Sequence, residues 1–114
     1  MFDVFLGQTL KKQSEIRLFA DYKNRAYWEG IPDEIKQDIL QRAQACLEEP
    51  MPVCTATEYL AYTRMGSRTI YQKPWDAKRD RLFYMIMAEG IENHGRFVDG
   101  ALDAVWAISE ETSW

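Results

Sequence analysis

Residues 74–95, PWDAKRDRLFYMIMAEGIENHG, decide the fold of this chain. Proline opens the stretch, and its fixed φ and missing N–H suit a first helical position. Trp75, Arg79, Leu82, Phe83, Ile86, Met87, Gly90 and Ile91 then recur at spacings of three and four and form one stripe. Asn93-His94-Gly95 closes the helix, with Gly95 suited to a left-handed cap. Phe97, Ala101, Leu102, Val105 and Ile108 begin a second stripe at once. So short a connection predicts an antiparallel αα-hairpin of residues 75–92 and 97–113.

The same signals continue upstream. Pro32 suits another first helical position, Asp33 and Glu34 complement the positive helix start, and Ile35, Ile39, Ala43 and Leu47 recur at i+4. That helix ends before Glu49-Pro50-Met51-Pro52, because each proline turns its predecessor away from helix. Thr55-Ala56-Thr57-Glu58 has the form of a capping box and opens a short helix ending at Gly66. Between Gln8 and Glu29, Ile16, Leu18, Phe19, Tyr22, Tyr27 and Trp28 predict one more helix. No strand pair or strict repeat interrupts this pattern, so the fold class is all-α, built from helical hairpins.

With 114 residues, 46% of them apolar and 28% charged, the chain has the composition of one soluble globular domain. A net charge of −4 excludes bulk attraction to nucleic acid or to an anionic membrane. The segment Met1-Phe2-Asp3-Val4-Phe5-Leu6-Gly7 lacks the basic start and long apolar core of a signal peptide. No apolar run approaches the ~20 residues that span a bilayer. A cytoplasmic protein is therefore expected. Cys46 and Cys54 fit no zinc spacing, and two buried reduced thiols are the expected state. Neither a metal nor a cofactor is implied.

The run Ala104-Val105-Trp106-Ala107-Ile108-Ser109-Glu110-Glu111-Thr112-Ser113-Trp114 carries no Gly, Asn or Pro to stop its helix. Residues 1–114 thus read as one helical domain, the N-terminal part of a larger fold. Together with Glu89-Gly90-Ile91-Glu92-Asn93-His94-Gly95-Arg96-Phe97, this run resembles the N-terminal region of heparinase II/III-like proteins. Arg64-Met65-Gly66-Ser67-Arg68, with Tyr71, resembles the arginine-rich turn before the same hairpin, and Tyr27-Trp28-Glu29-Gly30-Ile31-Pro32 is similar to the opening segment. The resemblance implies the first part of an incomplete (α/α) toroid, in polysaccharide lyases acting on uronate-containing glycans. It places the family's catalytic histidine, asparagine and tyrosine at no position of this chain.

Elimination across a uronate needs a donor that neutralises the carboxylate, a base for the C5 proton and an acid for the leaving oxygen. His94, the single histidine, lies in the predicted turn and reads as a surface cap. Glu110 and Glu111, adjacent on a helix, point about 100° apart and cannot flank one glycosidic bond. One is expected to face inward and pair with a base such as Arg64 or Arg68, the other to be solvated.

The segment 64–81 holds six basic residues against two acidic ones, whereas residues 89–114 hold six acidic residues and one arginine. Neutralisation between the two regions accounts for this asymmetry, and the alternative is an anion-binding face. Trp75 and Trp106 have the neighbours of core residues, while Trp28 and Trp114 are left open to stack on a sugar. No catalytic residue is assigned. The substrate-binding candidates are Arg64, Arg68, Tyr71, Glu110 and Trp114. The expected partner is an anionic polysaccharide or oligosaccharide. The competing expectation is a non-enzymatic helical interaction module, and on either reading the apolar helix faces would drive homo-oligomerisation.

Overall fold

A computed structural model describes residues 10, 12, 13 and 21–112. They form five helices and no strand: α1 Arg25–Glu29, α2 Asp33–Glu48, α3 Ala56–Met65, α4 Thr69–Glu92 and α5 Val98–Ser109. The helix α4 is the axis of the assembly, with α1, α2, α3 and α5 each packed against it. No helix among the described residues is long and apolar enough to cross a membrane. Most of the helix predicted over 8–29 lies outside the described residues, and only the short α1 belongs to it.

Local signals set most boundaries. The Thr55 hydroxyl accepts from the Glu58 N–H while Glu58 Oε1 accepts from the Thr55 N–H at 3.1 Å, so the predicted capping box opens α3. Gly66 closes that helix at φ +67°, in the left-handed region that glycine enters without steric penalty. The start of α4 differs from the expectation. It begins at Thr69, and Pro74 lies inside it, in the second turn. A proline so near the start forfeits one backbone bond, and Tyr71 before it meets Tyr59 of α3. At the far end Asn93, at φ 56°, takes the left-handed cap expected of Gly95, which itself has φ 83° two residues later. The second hairpin helix ends at Ser109, short of the predicted 113.

The buried side of α4 coincides with the apolar stripe only towards its end, where Met87, Gly90 and Ile91 meet the core. Lys78, Arg81, Met85, Ala88 and Gly90 face inward, while Phe83 and Ile86 point to solvent. Two cations on the packed side are invisible to an apolarity count. Arg81 is buried because it closes α2: its guanidinium donates to the carbonyls of Cys46, Glu49 (2.7 Å) and Pro50 (2.9 Å). Its Nε is left without a partner. Arg25 does the same for α4, donating to the Gly90 carbonyl at 2.7 Å and the Ile91 carbonyl at 3.0 Å.

The core consists of Ile39 and Ala43 from α2, Met85 and Ala88 from α4, and Phe97 from the turn, with Leu40, Cys46, Tyr84, Met87, Ile91 and Ala101 packed around them. Glu89 fixes that turn by accepting the Gly95 N–H at 2.6 Å and the Phe97 N–H at 3.2 Å. Trp28 seals the end of the core. Its indole lies on Gly90, where an added Cβ would come within 2.5 Å of Cη2, and its Nε1 donates to the Asp21 carbonyl at 3.1 Å. Trp28 is therefore a core residue and not open to a sugar. Trp106 reverses in the other direction: expected in the core, it is 69% exposed. Val98, Leu102, Val105 and Trp106 share the outer side of α5, because Phe97, Ala101 and Ala104 are turned inward.

Candidate functional site

Two adjoining cavities, each about 580 Å³, open beside the N-terminal half of α4. The first lies between α3 and α4 and is lined by Tyr59, Tyr62, Arg68, Tyr71 and Trp75, with Thr63, Ser67 and Gln72. Helical spacing explains the convergence. Tyr59 and Tyr62 are one turn apart on α3, Tyr71 and Trp75 one turn apart on α4, and the tight turn at Gly66 folds one pair towards the other. Tyr59 meets Tyr71 edge to face at 5.4 Å. The Arg68 guanidinium lies 5.3 Å from the centre of the Tyr62 ring and pairs with no carboxylate among the described residues. Burial, with Cys54 close by, pushes the Tyr71 hydroxyl above its ordinary pKa, so it stays protonated.

The second cavity lies on the other side of the Tyr59–Tyr71 pair. Its walls are the α2–α3 linker from Met51 to Thr55, the start of α3, and Ala107 of α5 with the residues 110–112 that follow it, with Lys78, Glu110 and Glu111 as its charged lining. The Glu111 side chain is 3% exposed and the Lys78 side chain 6%. Lys78 Nζ approaches Glu111 Oε1 at 2.6 Å, while Arg79 donates to Oε1 at 3.2 Å and to Oε2 at 2.8 Å. Arg79 also lies over Trp75, its Cζ 3.4 Å from the ring centre. Hydrogen bonding from Arg79 holds the Glu111 carboxyl below the usual carboxylate range, against its own burial and with help from Lys78.

Of the residues singled out from the sequence, Arg68 and Tyr71 come together in the first cavity, and Tyr71 and exposed Glu110 line the second. Arg64 lies exposed in the last turn of α3 and lines neither. Trp114 lies outside the described residues. One of the two adjacent glutamates does face inward, but Glu111 pairs with Lys78 and Arg79 and not with Arg64 or Arg68. The reason is register: the antiparallel return of α5 brings residue 111 beside the second and third turns of α4, beyond reach of the Gly66 turn. His94 is an exposed turn residue, 3.8 Å from Glu92. Cys46 and Cys54 are separate, half-buried thiols.

Sequence reading missed Tyr59 and Tyr62, and it placed Trp75 in the core and not in the groove. The i,i+3 tyrosines facing an i,i+4 Tyr–Trp pair across a glycine turn were a usable signal for the first two. Comparison of the sequence with known families and with characterised proteins gives no match to either.

Proposed function

We propose that this chain is the N-terminal helical scaffold of a heparinase II/III-like polysaccharide lyase acting on uronate-containing glycans, with its hairpins forming the first part of an (α/α) toroid. The observation that carries this reading is the aromatic groove with Arg68 at its edge. Sugar rings stack on aromatic faces, and a guanidinium not engaged by a carboxylate grips a uronate carboxylate through paired hydrogen bonds. Arg68 and Tyr71 belong to the segment that carried the family resemblance, and both line this groove. The chain contributes a cleft wall and no catalytic group. Tyr71 contributes its ring to the groove wall.

Tryptophan fluorescence titrated with galacturonate oligomers and with alternating glucuronate–N-acetylglucosamine oligomers tests the binding role. Saturable binding is expected, weakened about tenfold by Arg68→Ala, the loss of one charge-assisted contact. The lyase assignment is read in the whole natural polypeptide, as rising ultraviolet absorbance from unsaturated uronate ends. Absence of both signals overturns the proposal.

A different reading, a self-associating helical interaction module, is favoured by one observation: Val98, Leu102, Val105 and Trp106 form an apolar row on the outer face of α5. Sedimentation at rising concentration should then show a dimer that Leu102→Asp returns to monomer. A monomer at every concentration removes this reading.

A further inference from the structure

The exposed apolar residues of α4 and α5 form one continuous face. Two residues along a helix are about 200° of turn, so each of them lies opposite an inward neighbour. Phe83 and Ile86 stand two residues before Met85 and Ala88, which share the core with Ile39 and Ala43 of α2. Val98 stands two before Gly100, where an added Cβ would meet Met85 and Leu47 of α2. Val105 stands two before Ala107, which lines the second cavity, and Leu102 two before buried Ala104. The face therefore points away from α2 and α3, and α1 covers its Gly90 end with Trp28. Its large side chains, Trp106 included, are between 43% and 69% exposed. Together they present about 600 Å² of apolar surface, at the upper end of what a solitary domain exposes.

Acidic rows run along both edges of this face. On α4, Asp76 and Asp80 lie seven and three residues before Phe83. On the other edge Asp99 and Asp103 precede Trp106 by seven and three, and Glu110 follows it by four. All five carboxylates are exposed, and none pairs with a cation among the described residues. Against them stand Lys73, the one net positive charge of the Lys78–Arg79–Glu111 cluster, and Arg25 on the α4 carbonyls at the Gly90 end. The face stays acidic. An apolar strip between two acidic rows complements a helix whose apolar ridge is flanked by lysine and arginine. Packed helices lie about 8–10 Å apart, so one helix seated between α4 and α5 reaches both rows at once. A second copy of the chain is the poorer occupant, because it carries the same rows and would oppose carboxylate to carboxylate. We propose that the outer face of the α4–α5 hairpin docks a basic amphipathic helix of a different protein. This docking site is independent of the glycan reading.

Two synthetic helices of about 18 residues test it, both with leucine at heptad positions a and d, one with lysine and its twin with glutamate at the flanking e and g. Amide and indole signals of the isotope-labelled chain are followed as each is added. The lysine helix should move Ile86, Leu102 and the Trp106 indole, and bind about tenfold tighter than its twin or more. Leu102→Asp should abolish those shifts although it adds a carboxylate, which bulk attraction would reward. Asp99→Asn with Asp103→Asn, which leaves the apolar row intact, should weaken binding about tenfold, and added salt should weaken it too. All three positions are exposed, so unaltered circular dichroism is expected of both variants. Equal binding of the two helices, shifts scattered over every acidic surface, or no shift on this face overturns the docking site. So does a dimer of the chain alone that Leu102→Asp dissolves, which gives the face to a second copy.

Discussion

Glu111→Gln is expected to destabilise the chain by about 3 kcal/mol at neutral pH, a large fraction of what holds a small domain together. The amide keeps the shape of the carboxylate but leaves buried Lys78 beside half-buried Arg79 with no countercharge. Desolvated charge without a partner is among the few single changes that reach this size. A double variant, Lys78→Met with Glu111→Gln, removes one of the two stranded cations and should recover about half of the loss. Denaturant unfolding of the four proteins measures both terms. A single-variant loss below about 0.5 kcal/mol would show that solvent reaches the cluster and screens it.

The same pair sets a pH dependence. The Glu111 carboxyl titrates below its unfolded value of about 4.3, so the unfolded chain binds its proton first. The stabilisation is therefore complete above that value and is lost as pH falls through the lower, folded one. The gap between wild type and Glu111→Gln should narrow on acidification below about pH 4. Some acid sensitivity should remain in the variant, because Glu92, hydrogen-bonded by Arg96, is shifted in the same direction.

Phe97→Ala should cost about 4 kcal/mol. This ring is wholly buried among Ile39, Ala43, Met85 and Ala88, and it is the first residue after the turn that Glu89 holds. Truncation opens a cavity where α2, α4 and the start of α5 meet, and the rigid turn limits how far the site can collapse. Trp106→Ala, a larger truncation on the same hairpin, serves as the control and should change stability by less than about 0.5 kcal/mol. Circular dichroism in urea distinguishes the two. Comparable losses for both would mean that the outer side of α5 is covered, contrary to the exposed indole described above.

Helix existence was legible in the sequence because caps and breakers act locally. Thr55 and Glu58, Gly66, and the prolines of the linker do their work within a turn of where they stand. The Glu89–Phe97 line was legible as a motif but its meaning was not. Glu89 holds the turn, Gly90 admits Trp28, Asn93 and Gly95 take positive φ, and Phe97 fills the core. Each is a folding role. What stayed hidden was which way α4 faces, because four helices surround it and its inner side begins with Lys78 and Arg81. The aromatic groove could be found residue by residue in Arg68 and Tyr71. Its companions Tyr59, Tyr62 and Trp75 became part of it only when α3 folded back at Gly66.

The two arginine clamps have a consequence for how order spreads through the molecule. Helix α2 ends on a guanidinium that arrives from the middle of α4, and α4 ends on one that arrives from α1. At each terminus the local cap, the Glu49 N–H on Ala45 or the Asn93 N–H on Glu89, leaves later carbonyls to an arginine from far along the chain. A peptide spanning either helix alone would leave those carbonyls to water and fray. The last turns of α2 and α4 are thus reporters of assembly, formed only when distant parts of the chain have already met.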